Sequence, residues 1–169
     1  MINLVKQVYS IGHSNHDIDK FCDLLIHNEI KYIVDVRSTP FSRYYPQYNQ
    51  ERLLRSLETV NIIYVFLGKE LGGRISDITC YKDGVIPSTK PGYALHLNYE
   101  NICTKEWFQN GIEILVKIIE QGKCAIMCSE ENPEKCHRDL IIGRRLKELG
   151  YKVNNIRTKE SNKEQLGLF

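Results

Sequence analysis

The residues best equipped for chemistry lie in one short stretch, CAIMCSEENPEKCHRD (124–139), where Cys128, Glu130, Cys136, His137 and Arg138 follow an apolar run. A thiol beside a histidine and an arginine, near the start of a helix, has its thiolate stabilised, and the thiolate is the nucleophilic and redox-active form of cysteine. Either Cys128 or Cys136 fits that description. The competing reading is simple burial, because cysteine often serves as a small apolar filler. A structural zinc site is disfavoured, since Cys128, Cys136 and His137 lack the C-x2-C spacing, and neither His13 nor His96 stands at a spacing that completes a ligand set.

Such residues need a frame to bring them together. Apolar runs at 7–12 (QVYSIG), 32–36 (YIVDV) and 62–67 (IIYVFL) alternate with amphipathic segments, and two more, 124–129 (CAIMCS) and 152–157 (KVNNIR), follow a longer interruption. That alternation predicts an α/β fold: a single three-layer domain with a mainly parallel five-stranded sheet and helices on both faces. Ile18, Phe21, Cys22 and Leu25 mark the inner face of a first helix; Leu53, Leu54 and Leu57 mark that of a second, opened by Asn49. Residues 68–92 show little periodicity and read as a long surface loop. Thr104 is read as the cap of a helix with two apolar stripes (Trp107, Gly111, Ile114, Ile118 and Phe108, Ile112, Leu115, Ile119). A last helix over about 134–149 buries Ile142, Leu146 and Leu149 and stops at Gly150. The run at 124–129 is the most continuously apolar, which places it centrally. Right-handed crossovers on both sides of the first strand favour the strand order 3-2-1-4-5. The α/β domain takes residues 1–157, and 158–169 form a flexible polar tail.

In an open parallel sheet, ligands bind beyond the carboxyl ends of the strands. The first strand ends at His13 and Ser14, the second at Asp35, Arg37 and then Arg43, and the third leads to Glu70, Gly72, Gly73 and Arg74. With Cys128, Glu130, Cys136, His137 and Arg138 after the fourth, they should meet on one rim. Four arginines and two histidines there suit a phosphate or another oxyanion, carried by a small molecule or a nucleic-acid backbone. Gly72 and Gly73 would let the backbone approach such a ligand. The catalytic candidates are His13 and Glu130 as acid or base, with Cys128 and Cys136 as thiols. The ligand-binding candidates are Ser14, Asp35, Arg37, Arg43, Gly72, Gly73, Arg74, His137 and Arg138. The alternative is a structural ion-pair network. On the ligand reading, Arg37→Ala or Arg138→Ala loses binding and keeps stability; on the network reading both variants unfold.

The 169 residues carry a net charge of +2 with 42% hydrophobic residues, a mild balance that excludes a bulk nucleic-acid coating protein. No stretch approaches the roughly 20 apolar residues of a membrane span, so no membrane partner is expected. Six cysteines without a secretion signal read as free thiols in a cytoplasmic protein. The phosphate-loop, dinucleotide and H-E-x-x-H motifs are missing, so no cofactor and no metal is called for.

The segments SIGHS (10–14), VDVRSTPFSR (34–43), ELGGR (70–74) and MCSEENPEKCHR (127–138) resemble, in order, the motifs of domain of unknown function family 488. The resemblance implies an α/β domain of bacterial or archaeal cytoplasm, of unassigned activity and sometimes labelled as DNA-repair related. His13, Ser14, Asp35, Arg37, Arg43, Arg74, Cys128, Glu130, Cys136, His137 and Arg138 match its motif positions, and it gives none of them an established role. The terminal QLGLF is similar to the pentapeptide by which bacterial DNA-processing proteins dock on the replication sliding clamp, with Gln165, Leu166, Leu168 and Phe169 as its partner-binding residues. Gly167 departs from the usual serine or aspartate, and the same residues could tuck against the protein's own core. The expected function lies in DNA or nucleotide metabolism, through an anion site at the strand ends. The alternatives are a non-catalytic accessory protein brought to the clamp, or a thiol-dependent enzyme acting on a small metabolite.

Overall fold

The computed structural model describes residues 5–88 and 92–158. Its centre is one sheet of five parallel strands, β1 (Gln7–Gly12), β2 (Tyr32–Asp35), β3 (Ile63–Phe66), β4 (Cys124–Cys128) and β5 (Lys152–Ile156). Alternating side chains divide the core between the two faces, as a period of two requires. Ile33, Ala125 and Met127 pack with Phe21 and Leu25 of α1 (Ile18–His27) and Leu53 and Leu57 of α2 (Gln50–Thr59). Val34, Cys124, Ile126 and Cys128 face the other way, onto α3 (Gly68–Leu71), α4 (Tyr99–Cys103), α5 (Glu106–Gln121) and α6 (Arg144–Glu148). The α/β class and the three layers are as the sequence reads.

The strand order is not. It runs β3-β2-β4-β1-β5, so the crossover from β1 to β2 skips a place that β4 later fills. Polarity explains the choice: every residue of β4 is buried, whereas Gln7 opens β1 exposed. The central position goes to the strand with no polar edge to hydrate. Register then sets the strand ends level, pairing Gly12 with Cys128, and Asp35 with both Met127 and Phe66.

Three local expectations are also corrected. The 68–92 stretch is partly core rather than a surface loop. It holds α3 and a 3-10 turn (Ile78–Cys80), with Cys80 and Tyr81 buried and Tyr81 bridged to Leu97. Single anchors do this work, such as Asp77 capping Thr79 and bonding Lys105, and single anchors leave no period to read. Thr104 closes α4 instead of opening α5, because Asn98 nucleates an extra turn by accepting from the Asn101 N–H at 3.1 Å. The last helix is broken into a 3-10 turn (Pro133–Lys135), a π-helical stretch (Arg138–Gly143) and α6, leaving Leu149 exposed. Gly150, at φ +89°, ends it as expected. Among the described residues no helix is long and apolar enough to cross a membrane. Gln165, Leu166, Leu168 and Phe169 lie outside the described residues.

Candidate functional site

The level strand ends create two connected clusters, one on each side of β4. On the α1/α2 side, Asp35 closes β2 fully buried and accepts four hydrogen bonds. Three come from Arg37, through its backbone N–H (3.1 Å), Nε (2.9 Å) and Nη2 (2.7 Å), and the fourth from the Tyr64 hydroxyl (2.7 Å). Arg37 Nη2 also donates to the Tyr48 carbonyl at 2.9 Å, and Nη1 meets His13 Nε2 at 3.4 Å. The His13 ring stacks on Tyr48 at 4.1 Å, and its Nδ1 bonds the Ser14 carbonyl at 2.9 Å. Ser14 itself sits at φ +47°, a left-handed conformation that costs a non-glycine residue and recurs at functional sites.

On the opposite side lie the sulfurs. Cys128, at the end of β4, Cys136 and His137 offer atoms that all fall within 4.8 Å of one another, and all three residues are buried. His137 Nδ1 stands 3.9 Å from Cys128 Sγ and 3.8 Å from Cys136 Sγ, while Nε2 bonds the Val36 carbonyl at 3.0 Å. A carbonyl accepts only, so Nε2 carries a hydrogen and Nδ1 is the nitrogen left to exchange a proton with sulfur. The Cys136 thiol, the His137 charge and the Arg138 charge together hold Cys128 well below the usual thiol range despite its burial. Cys136 moves the other way, raised by its thiolate neighbour and by burial. Burial pulls His137 down, but the Cys128 thiolate and the Val36 carbonyl outweigh it and favour the imidazolium. Cys124, on the same strand but with only apolar surroundings, is pushed up to about 12.

Sequence order hid how these groups are held. Arg138 is 1% exposed, and it donates from Nε to Ser10 Oγ at 2.8 Å, from Nη1 to the Glu130 carbonyl, and from Nη2 to the Glu131 carbonyl at 3.2 Å. Two of the four arginines expected to grip an anion, Arg37 and Arg138, therefore donate to the protein itself. Glu130 contributes its carbonyl, with its side chain exposed. Arg43 and Arg74 are exposed and outside both clusters, although the Arg74 N–H is fixed by Ser38 Oγ at 2.9 Å. Gly72 and Gly73 do permit a close approach, but of protein on protein. A Cβ would come 2.5 Å from Ser38 Oγ at Gly72 and 2.6 Å from His137 Cγ at Gly73. Tyr48, Tyr64 and Ser10 were missed. Only Ser10 left a signal, as a hydroxyl in an otherwise inward-facing strand position.

The Cys128, Cys136 and His137 atoms are donor types for a soft cation, yet the surrounding charge argues against one. The bonds of Arg138 go to a hydroxyl and two carbonyls, so its charge acts on Cys128 undiminished by a carboxylate partner. A fixed positive charge stabilises a thiolate and repels a dication.

The buried His13 ring makes the stability of the fold depend on pH. Burial, with help from Arg37 and against the Ser14 carbonyl, lowers the ring's pKa from 6.5 to about 4. The unfolded chain takes up the proton near 6.5 and the native state only near 4, so the stability involved is complete above pH 6.5 and drains as pH falls towards 4. The loss approaches about 3 kcal/mol. Urea midpoints at pH about 7 and about 4.5 should diverge more for the wild type than for His13→Gln.

No curated protein and no solved structure matches the chain. One family model does, over residues 17–144, a span that takes in Asp35, Arg37 and the whole sulfur cluster and starts after His13. The chain therefore belongs to the family described as Domain of unknown function DUF488.

Proposed function

We propose that this protein is a thiol-dependent enzyme acting on a small electrophilic metabolite, with Cys128 as nucleophile and His137 as its proton partner. The observation that carries the reading is the commitment of His137: Nε2 is locked on the Val36 carbonyl, so Nδ1 faces Cys128 Sγ at 3.9 Å. His137, though neither sulfur, borders a small apolar recess of about 10 Å³ with Leu71, Gly73, Trp107, Phe108 and Ile141, room for about one water, so a substrate reaches Cys128 only as these side chains give way. The exposed Arg74, next to Gly73, supports an anionic substituent on the substrate.

Alkylation with iodoacetamide, followed by peptide mapping, tests this. Cys128 should react at a rate that stays nearly flat into the mildly acidic range, where ordinary thiols lose about tenfold per pH unit. His137→Gln should slow Cys128 at pH about 6 by roughly 10- to 100-fold. Anionic iodoacetate should lose more than neutral iodoacetamide in Arg74→Gln. An ordinary thiol titration at Cys128 overturns the reading.

A further inference from the structure

We propose that Cys136 is a resolving thiol and that the substrate class is a small disulfide, reduced by exchange through the Cys128–Cys136 pair; this rests on the thiol reading above. The ground is placement. Two sulfurs from separate elements, the end of β4 and the turn before the π-helical stretch, come within 4.8 Å and share one imidazole nitrogen, His137 Nδ1, at 3.9 and 3.8 Å. A lone nucleophile needs no second thiol at its side. A dithiol couple does, because the second sulfur must reach the first once it carries the substrate.

The two cysteines are also unequal. Both are buried, Cys128 at 6% exposed and Cys136 at 1%, but only Cys128 has its thiolate stabilised, by the Cys136 thiol, His137 and Arg138, so Cys128 attacks first. Burial raises Cys124 to about 12, and raises Cys22 and Cys80 with help from nearby acids; no other thiol among the described residues combines a histidine with a partner sulfur.

The step balances. The Cys128 thiolate attacks one sulfur of R–S–S–R, forming Cys128–S–S–R and expelling RS⁻, which takes the proton of the His137 imidazolium. Neutral Nδ1 then accepts the Cys136 proton, and the Cys136 thiolate attacks Cys128 Sγ. The second RS⁻ leaves and recovers that proton from His137. Overall the protein dithiol loses two electrons, becoming the Cys128–Cys136 disulfide, and R–S–S–R becomes two RSH.

Oxidised glutathione, added without oxygen to the reduced protein, supplies the test. The expected result is about two glutathione thiols released per chain, with mapping that places the new disulfide between Cys128 and Cys136. Cys136→Ser keeps a hydroxyl to support the thiolate and should stall at a mixed disulfide on Cys128, with release of about one. Persistence of that mixed disulfide in the wild type overturns the resolving role while leaving Cys128 a nucleophile. Failure of Cys128 to react with either glutathione or iodoacetamide removes both readings. Tight stoichiometric uptake of Zn²⁺ that blocks the exchange assigns the cluster to metal and also overturns the proposal.

Discussion

Arg138→Met should lower the stability of the folded protein by about 3 kcal/mol or more, and its melting temperature by about 6–12 °C. The side chain is buried, and its three donors hold Ser10 Oγ on β1 together with the Glu130 and Glu131 carbonyls of the loop after β4. Methionine fills similar space but leaves a hydroxyl and two carbonyls without donors, and charge-assisted bonds of this kind are among the stronger ones. Loss of the loop anchor matters twice, because Gly12 packs on the Glu130 carbonyl so closely that a Cβ would stand 1.8 Å from it. Arg138→Lys retains the charge without the fork and should fall between the two. Thermal and urea unfolding measure this. An unchanged melting point, with loss of binding to phosphate compounds, would restore the view of Arg138 as an open anion grip.

That result would also show what the sequence could and could not convey. Hydrophobic periodicity carries the layer structure, because each strand and helix must hide one face, and it located all five strands to within a residue at either end. Strand order depends on long-range competition for the dry centre; the unbroken apolar character of 124–128 held that information, but crossover rules alone pointed elsewhere. At the site, residue types at the strand ends revealed which groups meet. Their bonding was hidden, since the acceptors of Arg37 and Arg138 include backbone carbonyls at Tyr48, Glu130 and Glu131, and every residue has a carbonyl. The C-x2-C spacing rule likewise said nothing of Cys128, Cys136 and His137, which converge because β4 and the following turn fold back on one another.

Asp35→Ala should cost about 3–5 kcal/mol, as removal of one partner from a buried ion pair does. It deprives Arg37 of three bonds and Tyr64 of one, leaving a guanidinium that is 6% exposed with only the Tyr48 carbonyl and His13 Nε2. The double variant Asp35→Ala/Arg37→Met removes the stranded charge as well, so its loss should fall short of the two single losses added together by about 2 kcal/mol or more. Additive losses in urea unfolding would show that the pair is not coupled. The site should respond too. Val36, whose carbonyl fixes the His137 ring, lies between the two partners, so loosening the pair releases the anchor that aims Nδ1 at sulfur. Under conditions where Asp35→Ala is still folded, its Cys128 should alkylate at pH about 6 at a rate approaching that of His137→Gln. A wild-type rate in the folded variant would mean that the acid–arginine cluster supports the sheet alone and contributes nothing to the thiol centre across β4.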